Sequence, residues 1–188
     1  GGGGGGGGGS SSPVVPIPDP PQIIVPDIND ENNHYDIGLK PEKENEITSQ
    51  VTQKGDKVVG IYGKNINFSF SGNLEITDTN LGRNLENNSL ENYSFGIFSE
   101  NGEVINAGNV KISGDKIIGI FGNNSDITNN NIIKSINNDK NKTNNVIGIF
   151  LSGKNGIVRN NGEINLSSIK SSIGMYLYNS AGINNTGI

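Results

Sequence analysis

The chain has no cysteine and no tryptophan, and it has one histidine, His34, and one methionine, Met175. Without cysteine there is no disulfide framework, thiolate metal site or cysteine nucleophile, and the chain suits passage unfolded through an oxidising compartment. With His34 alone, neither a serine–histidine–acid triad nor an imidazole metal site is expected. Charged residues make up 18% and hydrophobic residues 31% of the 188, which is lean for a compact globule. Apolar residues nowhere recur at helical spacing, so an α/β architecture has no helices to place. The net charge of −5 and pI near 4.9, with scattered Lys and Arg, argue against nucleic acid as a partner. No apolar run approaches the ~20 residues of a membrane span, and no signal peptide opens the chain. It begins at Gly1 rather than methionine and stops inside a repeat, so it reads as a fragment in which a missing targeting segment carries no information.

What is abundant is a repeat. A small residue, an aliphatic and an aromatic return five times, as Gly60-Ile61-Tyr62, Gly96-Ile97-Phe98, Gly119-Ile120-Phe121, Gly148-Ile149-Phe150 and Gly174-Met175-Tyr176. Each copy is answered by a turn centred on Gly72, Gly108, Asn131, Gly162 or Gly187, at distances of 12, 12, 12, 14 and 13 residues. The gaps from turn to next tripeptide are 24, 11, 17 and 12, so the shortest unit is 23 residues and the insertions gather on one side. Around the turns, apolar residues alternate, as in Leu74-x-Ile76, Val110-x-Ile112 and Ile164-x-Leu166, which is the period of a strand with one buried face. Short alternating strands in a repeat of this length predict an all-β solenoid whose coils bury together a face that none could bury alone. Gly and Asn suit its corners because they tolerate positive φ.

Two columns have a second reading each. Asn106, Asn129, Asn160 and Asn185 all stand two places before the turn position, with Phe70 there in the first unit, and form either a stacked amide ladder or corners alone. Tyr62, Phe98, Phe121, Phe150 and Tyr176 form either an apolar packing column or a ligand-stacking stripe.

Residues 1–26 are Gly/Ser- and then Pro-rich, a low-complexity linker expected to be disordered; 27–50 read as a polar linker or N-terminal cap, with 40–50 a possible first coil; 51–188 carry the solenoid repeats. The acids Asp27, Asp30, Glu31 and Asp36 lack the central Gly and terminal Glu of an EF-hand loop and read as a solvated linker. Residues 148–155 match the glycines and Lys154 of a P-loop, but Asn155 replaces Ser/Thr and no helix pattern follows. Glu75, Glu103, Asp115, Asp126 and Glu163 are the acids available to a polysaccharide-cleaving β-helix enzyme, with Arg83 or Arg159 as possible partners. They do not recur at matching positions in the repeat, so no catalytic, cofactor-binding or metal-binding residue is assigned and no cofactor is expected.

On the Gly-Ile-Tyr/Phe units from Gly60 to Tyr176 and the Asn-x-Gly turns at Asn106–Val110 and Asn160–Ile164, residues 51–188 resemble the passenger region of a type V autotransporter of the large fusobacterial surface type. The resemblance implies a right-handed parallel β-helix, displayed on the extracellular side of the outer membrane by a C-terminal translocator barrel, and serving adhesion to a host-cell or bacterial surface protein or glycan. The expected function is therefore that of an adhesin or stalk segment rather than an enzyme. A glycan lyase or hydrolase and a pure structural spacer are the alternatives. Recognition is expected in the insertions 77–94 and 136–145.

Overall fold

The computed structural model describes residues 20–80, 87–136, 145–169, 172–180 and 182–188. Among them are seventeen strands and two short 3-10 turns, Glu31–Asn33 and Leu90–Asn92, with no α-helix. The chain visits three sheets in rotation. The first turn is β1 (Asp36–Leu39), β2 (Asn45–Ile47) and β3 (Gln50–Gly55), and on it lie β4 (Val58–Lys64), β5 (Asn67–Phe70) and β6 (Asn73–Asp78). Next come β7 (Ser94–Glu100), β8 (Glu103–Asn106) and β9 (Asn109–Ser113), then β10 (Lys116–Asn123), β11 (Asp126–Asn129) and β12 (Ile132–Ser135). The fifth turn is β13 (Asn145–Ser152), β14 (Ile157–Asn160) and β15 (Glu163–Asn165), and the sixth contributes β16 (Ser172–Tyr178) and β17 (Gly182–Asn185). The first sheet is ordered β1-β4-β7-β10-β13-β16, the second β2-β5-β8-β11-β14-β17 and the third β3-β6-β9-β12-β15, with parallel pairing throughout. This is the repeating architecture of a parallel β-solenoid.

The tripeptides stack in register. Ile61, Ile97, Ile120, Ile149 and Met175 are successive partners in the first sheet, and so are Tyr62, Phe98, Phe121, Phe150 and Tyr176. One further copy precedes them, because Leu39 pairs with Ile61 and a Cβ built on Gly38 would lie 2.7 Å from the Gly60 carbonyl oxygen. The ladder thus begins at Asp36, and the polar stretch left open between cap and first coil pairs as a coil.

Strand alternation slips at the tripeptide glycine. Val58 and Ile61 join the interior cluster shared by all three sheets, whereas Val59 and Tyr62 join a second cluster on the other face of the first sheet. Gly60 itself faces the interior, where an added Cβ would meet Leu74 Cδ1 at 2.7 Å and the Gly96 carbonyl oxygen at 2.6 Å. Two consecutive residues therefore point inward, and the following aromatic is turned out. The first sheet is buried on both faces, which is why its strands read as near-continuous apolar runs rather than alternating ones.

The second core has its own cover. Ile28, Leu90 and Tyr93 are buried against Phe95, Phe98 and their neighbours, and Ile23 and Val25 pack beside them. The linker expected over residues 1–26 is thus docked from residue 20 onward, because Ile23 and Val25 of an extended segment and Ile28 after it meet an apolar sheet face; residues 1–19 lie outside the described residues.

Candidate functional site

Three corners join the sheets, and they differ in what they allow. From second to third sheet the connection is two residues in every turn, 48–49, 71–72, 107–108, 130–131 and 161–162. The turn glycines there are needed for close approach rather than for positive φ: a Cβ on Gly162 would lie 2.0 Å from the Asn131 carbonyl oxygen. From first to second sheet, the chain turns on left-handed asparagines, Asn65, Asn101, Asn124 and Asn179, with φ of 57°, 54°, 51° and 57°. Each stands five places after a tripeptide glycine, a period legible in the sequence but not drawn from it. From third to first sheet, the connections are 56–57, 79–93, 114–115, 136–144 and 166–171, so this corner takes the largest insertions.

Beneath the constant corner runs the amide ladder. Asn106 Nδ2 donates to Asn129 Oδ1 at 2.9 Å, Asn129 Nδ2 to Asn160 Oδ1 at 2.9 Å, and Asn160 Nδ2 to Asn185 Oδ1 at 3.0 Å. Asn106, Asn129 and Asn160 are fully buried, and Phe70 sits below Asn106 in the same register. Corner conformation alone would not require this; the ladder satisfies amides that the interior would otherwise strand. An outer pair, Asn109 Nδ2 to Asn73 Oδ1 at 2.8 Å, is exposed.

The aromatic column packs rather than presenting a free stripe. Successive ring centroids from Tyr62 through Phe98, Phe121 and Phe150 to Tyr176 lie 5.4, 4.7, 5.4 and 4.9 Å apart, and Phe98, Phe121 and Phe150 are fully buried. The column builds the second core on the outer face of the first sheet and not the interior shared by the three sheets. Tyr62 donates to Glu100 Oε2 at 2.9 Å, and burial first, then the Glu100 carboxylate and Asp27, hold its phenol well above the ordinary tyrosine value. Tyr93 donates to Asn88 Oδ1 at 2.7 Å, and burial raises its phenol likewise.

The acids fall in two sheets and the varied corner. Glu75 is in register with Lys111 on the third sheet, and Lys111 with Lys134; Glu163 neighbours Ile132; Asp115 occupies the corner before β10. On the second sheet Glu103 and Asp126 are direct partners, which corrects the expectation that no two acids match between adjacent coils. Both precede the turn on the second-sheet arm, five residues before Gly108 and Asn131. Asp126 Oδ1 accepts the Ile157 backbone N–H at 3.0 Å, so one of its oxygens is occupied by the coil above. Arg159 lies between Thr128 and Asn184 in register, and Arg83 lies outside the described residues.

The remaining motifs are absorbed by the backbone. Gly148 and Phe150 are mid-strand in β13, Gly153 turns at φ 96°, Lys154 is exposed in the corner, and β14 follows, so the P-loop spacing frames no helix N-terminus. Asp27 and Asp30 accept the backbone N–H groups of Asn29 and Asn32 at 3.1 and 3.0 Å. His34 closes the short 3-10 turn at φ 57°. Among the described residues, no group of three or more His, Cys, Asp or Glu converges as a metal site. The last turn opens a cavity of about 320 Å³ lined by Ile164, Leu166, Met175 and Ile188 among others. No family model, curated protein or solved structure matches this chain.

Proposed function

We propose that this chain is a displayed adhesive segment, the passenger of an autotransporter, in which a right-handed β-helix acts as the rigid stalk and its insertions contact a host-cell or bacterial surface protein or glycan. One observation carries the reading: two corners are held short in most turns, one of them at two residues throughout, while the long insertions 79–93 and 136–144 both leave at the third-to-first corner. A constant scaffold with variable loops along one edge is how rigid folds present recognition surfaces. Right-handedness is supported by the strong preference of parallel crossovers for that hand. The insertion 79–93 is only partly free for recognition, because Leu90 and Tyr93 are buried in the second core. That leaves 136–144 as the better contact segment, of which 137–144 lie outside the described residues.

A second reading has one supporting observation, the in-register pair Glu103 and Asp126 on the outward side of the second sheet. Two carboxylates projecting from adjacent parallel strands, whose backbones are about 4.8 Å apart, can reach the roughly 5–5.5 Å separation that retaining glycoside-cleaving pairs use. The two readings are separated by presenting the whole chain to cell surfaces and a glycan array while following product release. Saturable binding without turnover is the expected outcome. Turnover abolished by Glu103→Gln would replace the adhesive reading with the enzymatic one.

A further inference from the structure

The outer face of the first sheet is covered, around Tyr62, Phe95 and Phe98, by a separate stretch of chain that lies beside the insertion residues Leu90 and Tyr93. Residues 20–27 run across it extended and a turn begins at Ile28, with Pro21, Pro26 and Ile28 buried, Ile23 and Val25 half-buried, and Ile24 45% exposed on the far side. Their prolines lack the N–H that a full ladder needs, and among the described residues the segment makes a single parallel bridge, Gln22 to Ser89. Among the described residues its backbone is held to the sheet side there, by Gln22 N donating to Asn88 O at 2.7 Å and Leu90 N donating to Gln22 O at 3.2 Å, while Asp27 O accepts Asp30 N at 3.2 Å and Asn33 Nδ2 at 2.8 Å in the turn that follows. The Asn88 side chain adds a donation to Pro20 O at 3.3 Å. The rest of the hold is apolar, Ile23, Val25 and Ile28 against the cluster of Tyr62, Phe95 and Phe98. After it, residues 29–34 are polar and mostly exposed, turn through Glu31–Asn33, and reverse at His34 before β1 begins.

We propose that this strap exchanges between copies, so that the aromatic face of one chain accepts residues 20–28 of a second and the two close a reciprocal pair. The inference is independent of the adhesive reading. Whatever occupies the face must be extended, turn apolar residues toward it as Pro21, Ile23, Val25, Pro26 and Ile28 do, and need few backbone donors. The strap of another copy satisfies this by identity, and every contact made within one chain is remade between two. Exchange then differs from self-docking only by the conformation of residues 29–34 and the entropy of association, the usual condition for swapping an element through a short hinge.

The absence of native cysteine makes the test direct, since introduced thiols report only their own pair. Gln22 and Ser89 are parallel-strand partners, whose backbone spacing of about 4.8 Å falls within disulfide range. The full chain carrying Gln22→Cys is mixed with a mass-tagged full chain carrying Ser89→Cys, incubated, oxidised and resolved without reductant. The expected result is a mixed dimer at least about tenfold above that formed when Gln22→Cys is mixed with Lys154→Cys, because exchange pre-positions only the first pair. The double variant Gln22→Cys/Ser89→Cys supplies the control by closing its disulfide. If it closes and the mixture gives no excess, the strap is permanent and the proposal is wrong. If it fails to close, the strap does not lie on the face and the proposal falls with it.

Discussion

Glycine in the first sheet is required by its neighbour one coil above. A Cβ on Gly119 would stand 2.6 Å from the Gly148 carbonyl oxygen and 2.7 Å from Ile133 Cγ2, so neither backbone nor packed side chain can yield without opening the ladder. Gly119→Ala is expected to cost about 3 kcal/mol, read as a fall in the urea midpoint. Gly174, at the same place in the last turn, has nothing within 4 Å of such a Cβ, and Gly174→Ala is expected to stay within about 0.5 kcal/mol. The asparagine column makes a parallel case. Asn129→Ala removes the acceptor of Asn106 Nδ2 and the donor to Asn160 Oδ1, both buried, and is expected to cost about 3 kcal/mol. Asn109→Ala, which loses only the solvent-exposed pair with Asn73, is expected to cost no more than about 0.5 kcal/mol by the same denaturation measurement.

Within a first-sheet strand, the slip at glycine lets one strand serve two cores, an event that periodicity cannot show. Gly-Ile-aromatic was legible as a repeat and its aromatics as packing residues, but an alternating strand would have placed Gly60 and Tyr62 on one face. The slip separates them, and the sequence signal for it is only that the run Val58 to Gly63 is apolar or glycine throughout. The second-to-third corner was readable because its length never changes. The pairing of Glu103 with Asp126 was legible by the same count, because each stands seven places after its tripeptide glycine and five before its turn position. Docking of residues 20–28 was hidden for a different reason: proline signals an extended chain, and whether that chain is solvated depends on the face it meets. The buried phenols of this second core add a pH dependence. Tyr62 and Tyr93 hold their protons more tightly folded than unfolded, so the folded state binds more protons than the unfolded one once pH passes the ordinary tyrosine value of 10.0. Their contribution is complete below that pH and is lost as pH rises through the raised folded values. Melting temperature is expected to fall above about pH 10, and less steeply in the Tyr62→Phe/Tyr93→Phe chain.

The six turns form a nearly one-dimensional stack, rising about 24 Å from first to last at the strand spacing, in which each coil is stabilised by the ones beside it. Interior turns are flanked on both sides, whereas Ile183 and Ile188 in the last are 48% and 85% exposed. Amide exchange is expected to be at least about tenfold faster in β16 and β17 than in β10 and β13, as local opening costs least where neighbours are fewest. Uniform protection along the stack would mean that the molecule opens only as a whole. The proposed adhesive reading rests on the third-to-first corner, and its most direct test compares three full chains on the same cell surfaces and glycan array: the native chain, one with residues 137–144 replaced by Gly and Ser at equal length, and one carrying Glu103→Gln and Asp126→Asn. Loss of at least about tenfold in binding, ~1.4 kcal/mol, on replacing the insertion, with the acid variant unchanged, is the predicted result. Binding or turnover lost with the acids and untouched by the insertion would contradict the account.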